Sequence, residues 1–559
     1  MKKYSLGIDY GTNSVRSLLV DIATGEEIAS AVYSYPSGEK GILTDAKNPL
    51  IARQNPREYI EGFIQVARRT VRLAQRKGIC PSDIIGIGID TTGSTPLPVD
   101  RNGIPLAFLP EFQGELAAQA WLWKDHSACE EGEFITDLAK KDKNEYLNTC
   151  GGIYSSEWIW AKVLHCKKEN PRVFKAAYSW VECADFVPAY ITGNLKPETL
   201  VRGICSAGHK ALYHEKWGGL PSEKFFAKID PDLVPYRSRF AKAVPSDSIA
   251  GYLTEEMAKK AGLPKGIPVA VGAIDAHLGA LGAGIKTGTL VEVIGTSSCE
   301  MLVCPLNYDV PDIPGLSGIV PGSIVPGMFG FEAGQPAVGD IFNWFVSHVA
   351  AGAIKGKRDP HLALTKEASS LLPGENGLIA LDWNNGNRCL LGNSLLTGLL
   401  IGQTLQTTAA EIYRALIEAT AFGGLTIINR FEEYHIPVKQ VVFTGGIAEK
   451  NPLLLQIYAD IYNRPVMISR SGQTCALGAA ILGSVVGGGY RSVLLAQKKM
   501  CGIKPIIYKP DRKASMVYRQ LYKIYHALHD SFGGTDHAAD LSGIMNELTA
   551  IRNQVRLSR

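Results

Sequence analysis

At 559 residues the chain is too long for one ordinary core, and at least two large domains are expected. Hydrophobic residues make up 46% and charged residues 20%, a balance that excludes a disordered chain. With 58 basic against 54 acidic side chains the net charge is +4, and no long basic run is present, so no nucleic-acid-binding surface is expected.

The N-terminus, MKKYSLGIDYG, has a short apolar run that meets Asp9, which is not the design of a signal peptide. Leu6–Asp9, Gly11-Thr12-Asn13-Ser14 and Val15–Asp21 predict strand, tight turn and strand. Backbone N–H groups in such a turn can cradle a phosphate, and Asp9 beside it can hold Mg²⁺ through water. An ordinary hairpin with a polar turn is the alternative. Asn55-Pro56 opens a helix that buries Ile60, Phe63, Ile64, Ala67, Val71 and Ala74 on one face. Ile84–Asp90 is a near-continuous apolar strand, as expected where both sheet faces are covered, and it ends in the polar loop Thr91–Thr95. Loops in that position are where α/β proteins place ligands. Ala120–His126 and Tyr154–Trp160 set tryptophans beside charges, which suits a sugar face or the edge of a core. Lys210, in Gly208-His209-Lys210, by itself reads as a surface cation.

Val269–Ile274 predicts one buried strand ending on Asp275, followed by small residues as far as Gly284. Asp275 either caps the next helix or acts as the base of a phosphoryl transfer. Leu290–Cys304, LVEVIGTSSCEMLVC, then repeats the N-terminal design. Gly295-Thr296-Ser297-Ser298 falls on the first turn, with Val293 where the first copy has Asp9. Two such units predict a duplicated fold with two phosphate-facing turns and one metal-side acid. Thr408 and Glu411 form a capping box. Lys439–Gly446 ends in a Gly-Gly pair against which a flat ring can lie, a candidate adenine site, and Asn451-Pro452 opens the helix beyond it. The tail from Lys513 carries Val517, Leu521, Ile524 and Leu528 at helical spacing and is expected to pack on the second domain.

Other chemistries lack their motifs. There is no P-loop and no nucleophile elbow, and GALGAG at Gly279–Gly284 has the wrong spacing for a dinucleotide fingerprint. His277 stands near Asp275 with no second histidine at metal-ligand spacing. The 11 cysteines are scattered and never spaced Cys-x-x-Cys, which points to reduced thiols in the cytoplasm. Apolar stretches are broken by charge or glycine, so no membrane span is expected.

LGIDYGTNSVRSLLVD, the IGTSS turn and FTGGIAEKNPLLLQIYADI resemble the phosphate and adenosine motifs of the actin-like ATPase superfold. Over essentially its whole length the chain is similar to the FGGY carbohydrate kinases of that superfold. LWKDHSACEE, YSSEWIWAKVLHC, AGHKALYHEKWGGLP and GFEAGQPAVGDIFNWF look like those members that phosphorylate L-ribulose at O5 with MgATP in arabinose breakdown. The resemblance implies an α/β fold of two duplicated ribonuclease-H-like domains, residues 1–284 and 285–559, with the active site in the cleft between them. It implies Asp275 as general base, with Asp9 and Asp275 on the metal side. Phosphate contacts would fall to Gly11, Thr12, Asn13, Gly295 and Thr296, and nucleotide contacts to Gly339, Asn343, Gly446, Lys450 and Asn451. Related glycerol kinases carry two asparagines where this chain has Lys450-Asn451. The sugar side would be Ser94, Thr95, Pro96, Trp123, Lys210 and Glu332. Gly93-Ser94 replaces the Arg-Glu pair of glycerol kinases, which argues for an acceptor other than glycerol. ATP, Mg²⁺ and a small sugar are the implied ligands, without nucleic acid or membrane, and a homodimer is left open. The rival readings are another sugar acceptor (D-ribulose, xylulose or a polyol), a conformational ATPase of the actin type, and a sugar sensor without catalysis.

Overall fold

Two sheets of seven strands each organise the molecule, whose computed structural model describes residues 2–535 and 539–558. β1 (Tyr4–Tyr10) and β2 (Ser14–Asp21) form the predicted antiparallel hairpin, with Asp9 opposite Arg16. β3 (Glu27–Ser34) extends it, and helix α1 (Pro56–Gln75) follows. As expected, the Asn55 side chain caps α1 by accepting the Arg57 N–H, and all six predicted face residues are buried. β4 (Ile84–Thr91) runs parallel to β1, which sets Asp90 beside Asp9.

An inserted region follows, with its own core from Leu106 to Ala243 built around Trp121, Trp160 and Trp180. It contributes α2 (Ile159–Glu169) and α3 (Ile204–Lys210). The chain then returns to the first sheet through β5 (Ile249–Tyr252), β6 (Pro268–Ala270) and β7 (Ala273–Ile274). The strand order is β5-β6-β4-β1-β2-β3, with β7 also on β4. Val269–Ile274 is thus two short strands and not one. A Cβ on Gly272 would lie 1.9 Å from the Ala184 carbonyl oxygen, and the Val271 N–H donates to Ser248. The helix Cys183–Thr192 presses on the strand there and interrupts its pairing.

α4 (Asp275–Gly282) leads to the second sheet. β8 (Thr289–Ile294) and β9 (Ser298–Pro305) repeat the hairpin, with Ile294 opposite Ser298. β10 (Gly318–Pro321), β11 (Met328–Ala333), α5 (Ala409–Glu433), β12 (Gln440–Thr444), α6 (Pro452–Tyr462), β13 (Val466–Ser469), α7 (Thr474–Val486) and β14 (Ile503–Tyr508) complete this half. The order is β10-β11-β9-β8-β12-β13-β14. The predicted capping box opens α5, and the tail helix α8 (Arg512–Gly533) adds Leu521, Ile524 and Leu528 to the second core.

α4 and α7 join the halves. They share one buried cluster with Leu18 and Val20 of the first sheet and Val291 and Met301 of the second. Small residues make the approach possible: a Cβ on Gly88 of β4 would stand 1.8 Å from the Ala479 carbonyl oxygen of α7. Among the described residues no helix is long and apolar enough to cross a membrane.

Candidate active site

Three carboxylates arrive at one place from neighbouring elements. Asp9 lies near the end of β1, Asp90 near the end of β4, and Asp275 opens α4; β7, which leads to Asp275, pairs Ala273 with Asp90. Asp9 Oδ2 lies 3.2 Å from Arg16 Nε. Asp90 is fully buried, and neither of its oxygens meets a donor N–H or hydroxyl among the described residues. Burial, and then the charges of Asp9 and Asp275, push the Asp90 carboxyl well above the usual carboxylate range. Burial also raises Asp9, against the pull of Arg16. Burial and the charge of Asp9 push Asp275 up to about 7, while its Oδ1 accepts the Ala276 N–H at 2.7 Å.

Asp90 contributes two unpartnered buried oxygens beside Asp9, the donor chemistry of a hard divalent cation, but the oxygens of Asp9, Asp90 and Asp275 do not all converge at direct-ligand spacing, so these acids fit Mg²⁺ held in part through water. Asp90 was not among the expected site residues. Its signal was Gly88-Ile89-Asp90, which repeats Gly7-Ile8-Asp9 without a phosphate turn after it.

The first turn is closed by the Gly11 N–H donating to Ser14 at 3.0 Å. Gln54 Nε2 donates to the Thr12 carbonyl at 2.6 Å, and Trp123 Nε1 donates to the Thr12 hydroxyl at 3.0 Å. Asn13 Nδ2 donates to the Lys40 carbonyl. Trp123, expected on the sugar side, therefore also touches the first turn, expected to face phosphate. In the second turn Gly295 and Thr296 are exposed, and their carbonyls accept the N–H groups of Val338, Gly339 and Asp340 at 2.8 to 3.1 Å. Gly339 has no room for a side chain, since a Cβ would lie 2.4 Å from the Gly295 carbonyl oxygen and 2.6 Å from Ile447. The Gly-Gly segment thus meets the second turn. Gly446 is exposed with open space around it, and Lys450 is exposed. Asn451 caps α6 by accepting the Leu454 N–H at 3.1 Å. Asn343 is exposed, with its Oδ1 3.0 Å from His361 Nε2.

On the expected sugar side Gly93 packs on Ile274, next to Asp275, and Ser94 holds a left-handed backbone, φ +52°. The Thr95 N–H donates to Glu182 Oε2 at 2.9 Å, and Pro96 opens the strand Pro96–Val99. Lys210 is buried, contrary to its isolated reading, and its Nζ lies 3.3 Å from both oxygens of Glu332. One residue comes from α3 and the other from β11, so the pair bridges the halves. Trp158 lies beneath the Lys210 ammonium at 5.6 Å, and Trp160 is a core residue whose Nε1 donates to Ala211.

Around Glu332 stand two histidines, His209 Nδ1 at 3.4 Å and His277 Nε2 at 3.5 Å from its Oε2. Burial lowers both imidazoles, His277 to about 4 and His209 well below its ordinary value, so both are neutral at pH 7. Burial raises Glu332 too, but the Lys210 charge overrides it and holds the carboxyl well below the usual range. These three side chains have metal-ligand spacing, yet the ammonium of Lys210 already balances the carboxylate. In the sequence His209 reads only as the neighbour of Lys210, because the fold, not the sequence spacing, brings it to His277. The charges of Lys210 and Glu332 both act on Asp275, so this pair and the acids are electrostatically linked.

The sequence models of the FGGY family of carbohydrate kinases match residues 4–282 (N-terminal domain) and 290–497 (C-terminal domain). A protein called ribulokinase from Geobacillus thermodenitrificans is 42% identical over 548 residues, covering 95% of each chain. Another ribulokinase, from Shouchella clausii, is 40% identical over 572 residues, covering 100% of this chain and 99% of the relative. Among solved structures, xylulose kinase from Rhodospirillum rubrum has a TM-score of 0.78 at 22% identity, covering 95% of this chain and 100% of that one. Plasmodium falciparum glycerol kinase with ADP has a TM-score of 0.74 at 16% identity, covering 94% and 98%. At those identities the structural likeness establishes the fold.

Proposed function

The chain belongs to the FGGY family of carbohydrate kinases, and from that premise we propose that it transfers the γ-phosphate of ATP to O5 of L-ribulose. Relatives named ribulokinase, at about 40% identity along both chains, support ribulose as acceptor. The L configuration and O5 rest on the resemblance of the segments around Trp123, Trp158, Lys210 and Glu332. The domain division is placed after Gly284, between α4 and β8, and a cytoplasmic location follows from the cysteine usage.

The observation that carries the mechanism is the position of Asp275, a carboxylate coupled both to Asp9 and to the Lys210–Glu332 pair. Phosphoryl transfer requires mainly positioning and charge neutralisation, with a group to take the hydroxyl proton. Lys210 and Glu332 offer a donor and an acceptor to neighbouring sugar hydroxyls, against the wall formed by Ser94, Thr95 and Pro96. Asp275 Oδ1 is committed to the Ala276 N–H, so the O5 proton goes to Oδ2 as O5 attacks the γ-phosphorus. A carboxyl that titrates near neutrality is well matched to that step. The turns at Gly11–Asn13 and Gly295–Thr296 hold phosphate oxygens, and Gly339, Asn343, Gly446, Lys450 and Asn451 border the nucleotide. Mg²⁺, held by Asp9 and Asp90 with Asp275 alongside, would supply charge neutralisation to the phosphates. Closing the halves over the sugar would exclude water as a competing acceptor.

A coupled ADP-release assay with MgATP tests this across L-ribulose, D-ribulose, D-xylulose, glycerol and no sugar. Turnover that depends on L-ribulose and exceeds that with the other acceptors is expected. Equal ADP release in every tube would contradict the reading.

A further inference from the structure

Lys162 lies in α2 with no part of it exposed. A buried lysine is tolerated only when its ammonium finds acceptors. Here Nζ donates to the carbonyls of Ser94 at 2.7 Å, Leu122 at 2.8 Å and Trp121 at 3.2 Å. Three acceptors call for three N–H donors, which a neutral amine does not have.

The carbonyls belong to two separate segments, the sugar loop and the end of the short strand Ala120–Trp121 with Leu122 after it. In the sugar loop Ser94 holds its left-handed backbone and the next N–H, of Thr95, donates to the buried carboxylate of Glu182. Two consecutive residues of that loop are therefore gripped by a buried amine and a buried carboxyl; burial works against both charges, lowering Lys162 to about 7 and raising Glu182 to about 7, while each partner's charge favours the other's. The other segment leads directly to Trp123, whose indole N–H reaches the Thr12 hydroxyl in the first phosphate turn. A single ammonium thus links the sugar loop to the segment that braces the phosphate turn.

We propose that Lys162, assisted by Glu182, is a positioning residue that fixes the sugar loop Ser94–Pro96 relative to Trp123, and so the acceptor pocket relative to the first phosphate turn. This rests on the assignment of Ser94–Pro96 to the sugar side. Lys162 acts only through the backbone of Ser94, Trp121 and Leu122.

The test uses full-length Lys162→Met, which keeps the volume and removes all three donors, and Glu182→Gln, which keeps an acceptor oxygen for Thr95 but removes the charge. In Lys162→Met the KM for the preferred sugar should rise about tenfold or more while the KM for ATP stays within about twofold. Amide hydrogen exchange should accelerate at residues 93–96 and 121–124 and remain unchanged in β8. Glu182→Gln should shift the same quantities in the same direction by about threefold, and it carries the test should Lys162→Met fail to fold. Equal rises in both KM values, or unchanged exchange in the two segments, would overturn the proposal. The acceptor panel on the unaltered enzyme separates the two readings. If it shows no sugar dependence while the segments loosen in the variant, the site assignment fails and the link between the segments stands.

Discussion

Asp275 carries opposing consequences for stability and for catalysis. Burial and Asp9 hold its carboxyl near 7, whereas an aspartate in an unfolded chain titrates near about 3.9. Between those values the native state binds more protons than the unfolded one, so stability falls as pH rises through the window. The contribution is fully present below the unfolded value and lost above the folded one. In the absence of ligands Asp275→Asn should therefore melt higher than the parent at pH 8, with the difference closing toward pH 5. A lower melting temperature at pH 8 in a thermal scan would contradict the electrostatic account. Individual residues were unevenly legible in the sequence. Asp9 and Asp275 could be read because each stands where an apolar run meets a turn or a run of small residues. Asp90 also closes an apolar run, but the loop after it, Thr91–Thr95, is no copy of the Gly-Thr-Asn-Ser turn, so the loop stood out and not the carboxylate. His209 and His277 meet only in the folded chain, and Lys162, among apolar neighbours on α2, has the spacing of any helical lysine.

Elements were read more fully than their partners. The two hairpins, α1 with its cap, the α5 capping box and the α8 face formed where apolar periodicity and capping residues placed them. The strand expected over Val269–Ile274 broke in two, because Gly272 lies under the Ala184 carbonyl, a neighbour that no local pattern reveals. The small residues of α4 were legible in the sequence, but nothing there pointed to α7 or to its place on the first sheet. Gly88→Val tests that packing, since its Cβ would stand 1.8 Å from the Ala479 carbonyl oxygen. Overpacking there should cost about 3 kcal/mol in urea unfolding. A midpoint equal to the parent's would show that α7 can move aside without loss.

At the scale of the molecule, the duplicated turn was legible in the residues themselves, whereas the cleft between the halves was expected only from the family resemblance. The first half supplies Asp9, Asp90, Asp275 and Lys210, and the second supplies Glu332 and the turn at Gly295-Thr296. The Lys210–Glu332 pair joins them across the halves, so this part of the proposed site is complete only when both are folded and in contact. This explains why Lys210 read alone looks like a surface lysine: its partner lies on a strand of the other sheet. The central claim is that this shared site transfers phosphate with Asp275 as base. Its most direct measurement is single-turnover phosphorylation of L-ribulose by Asp275→Asn, with sugar and nucleotide binding measured in parallel by calorimetry. The account predicts binding close to the parent's and a rate lower by about a thousandfold or more. Near-normal phosphorylation by that variant would contradict it.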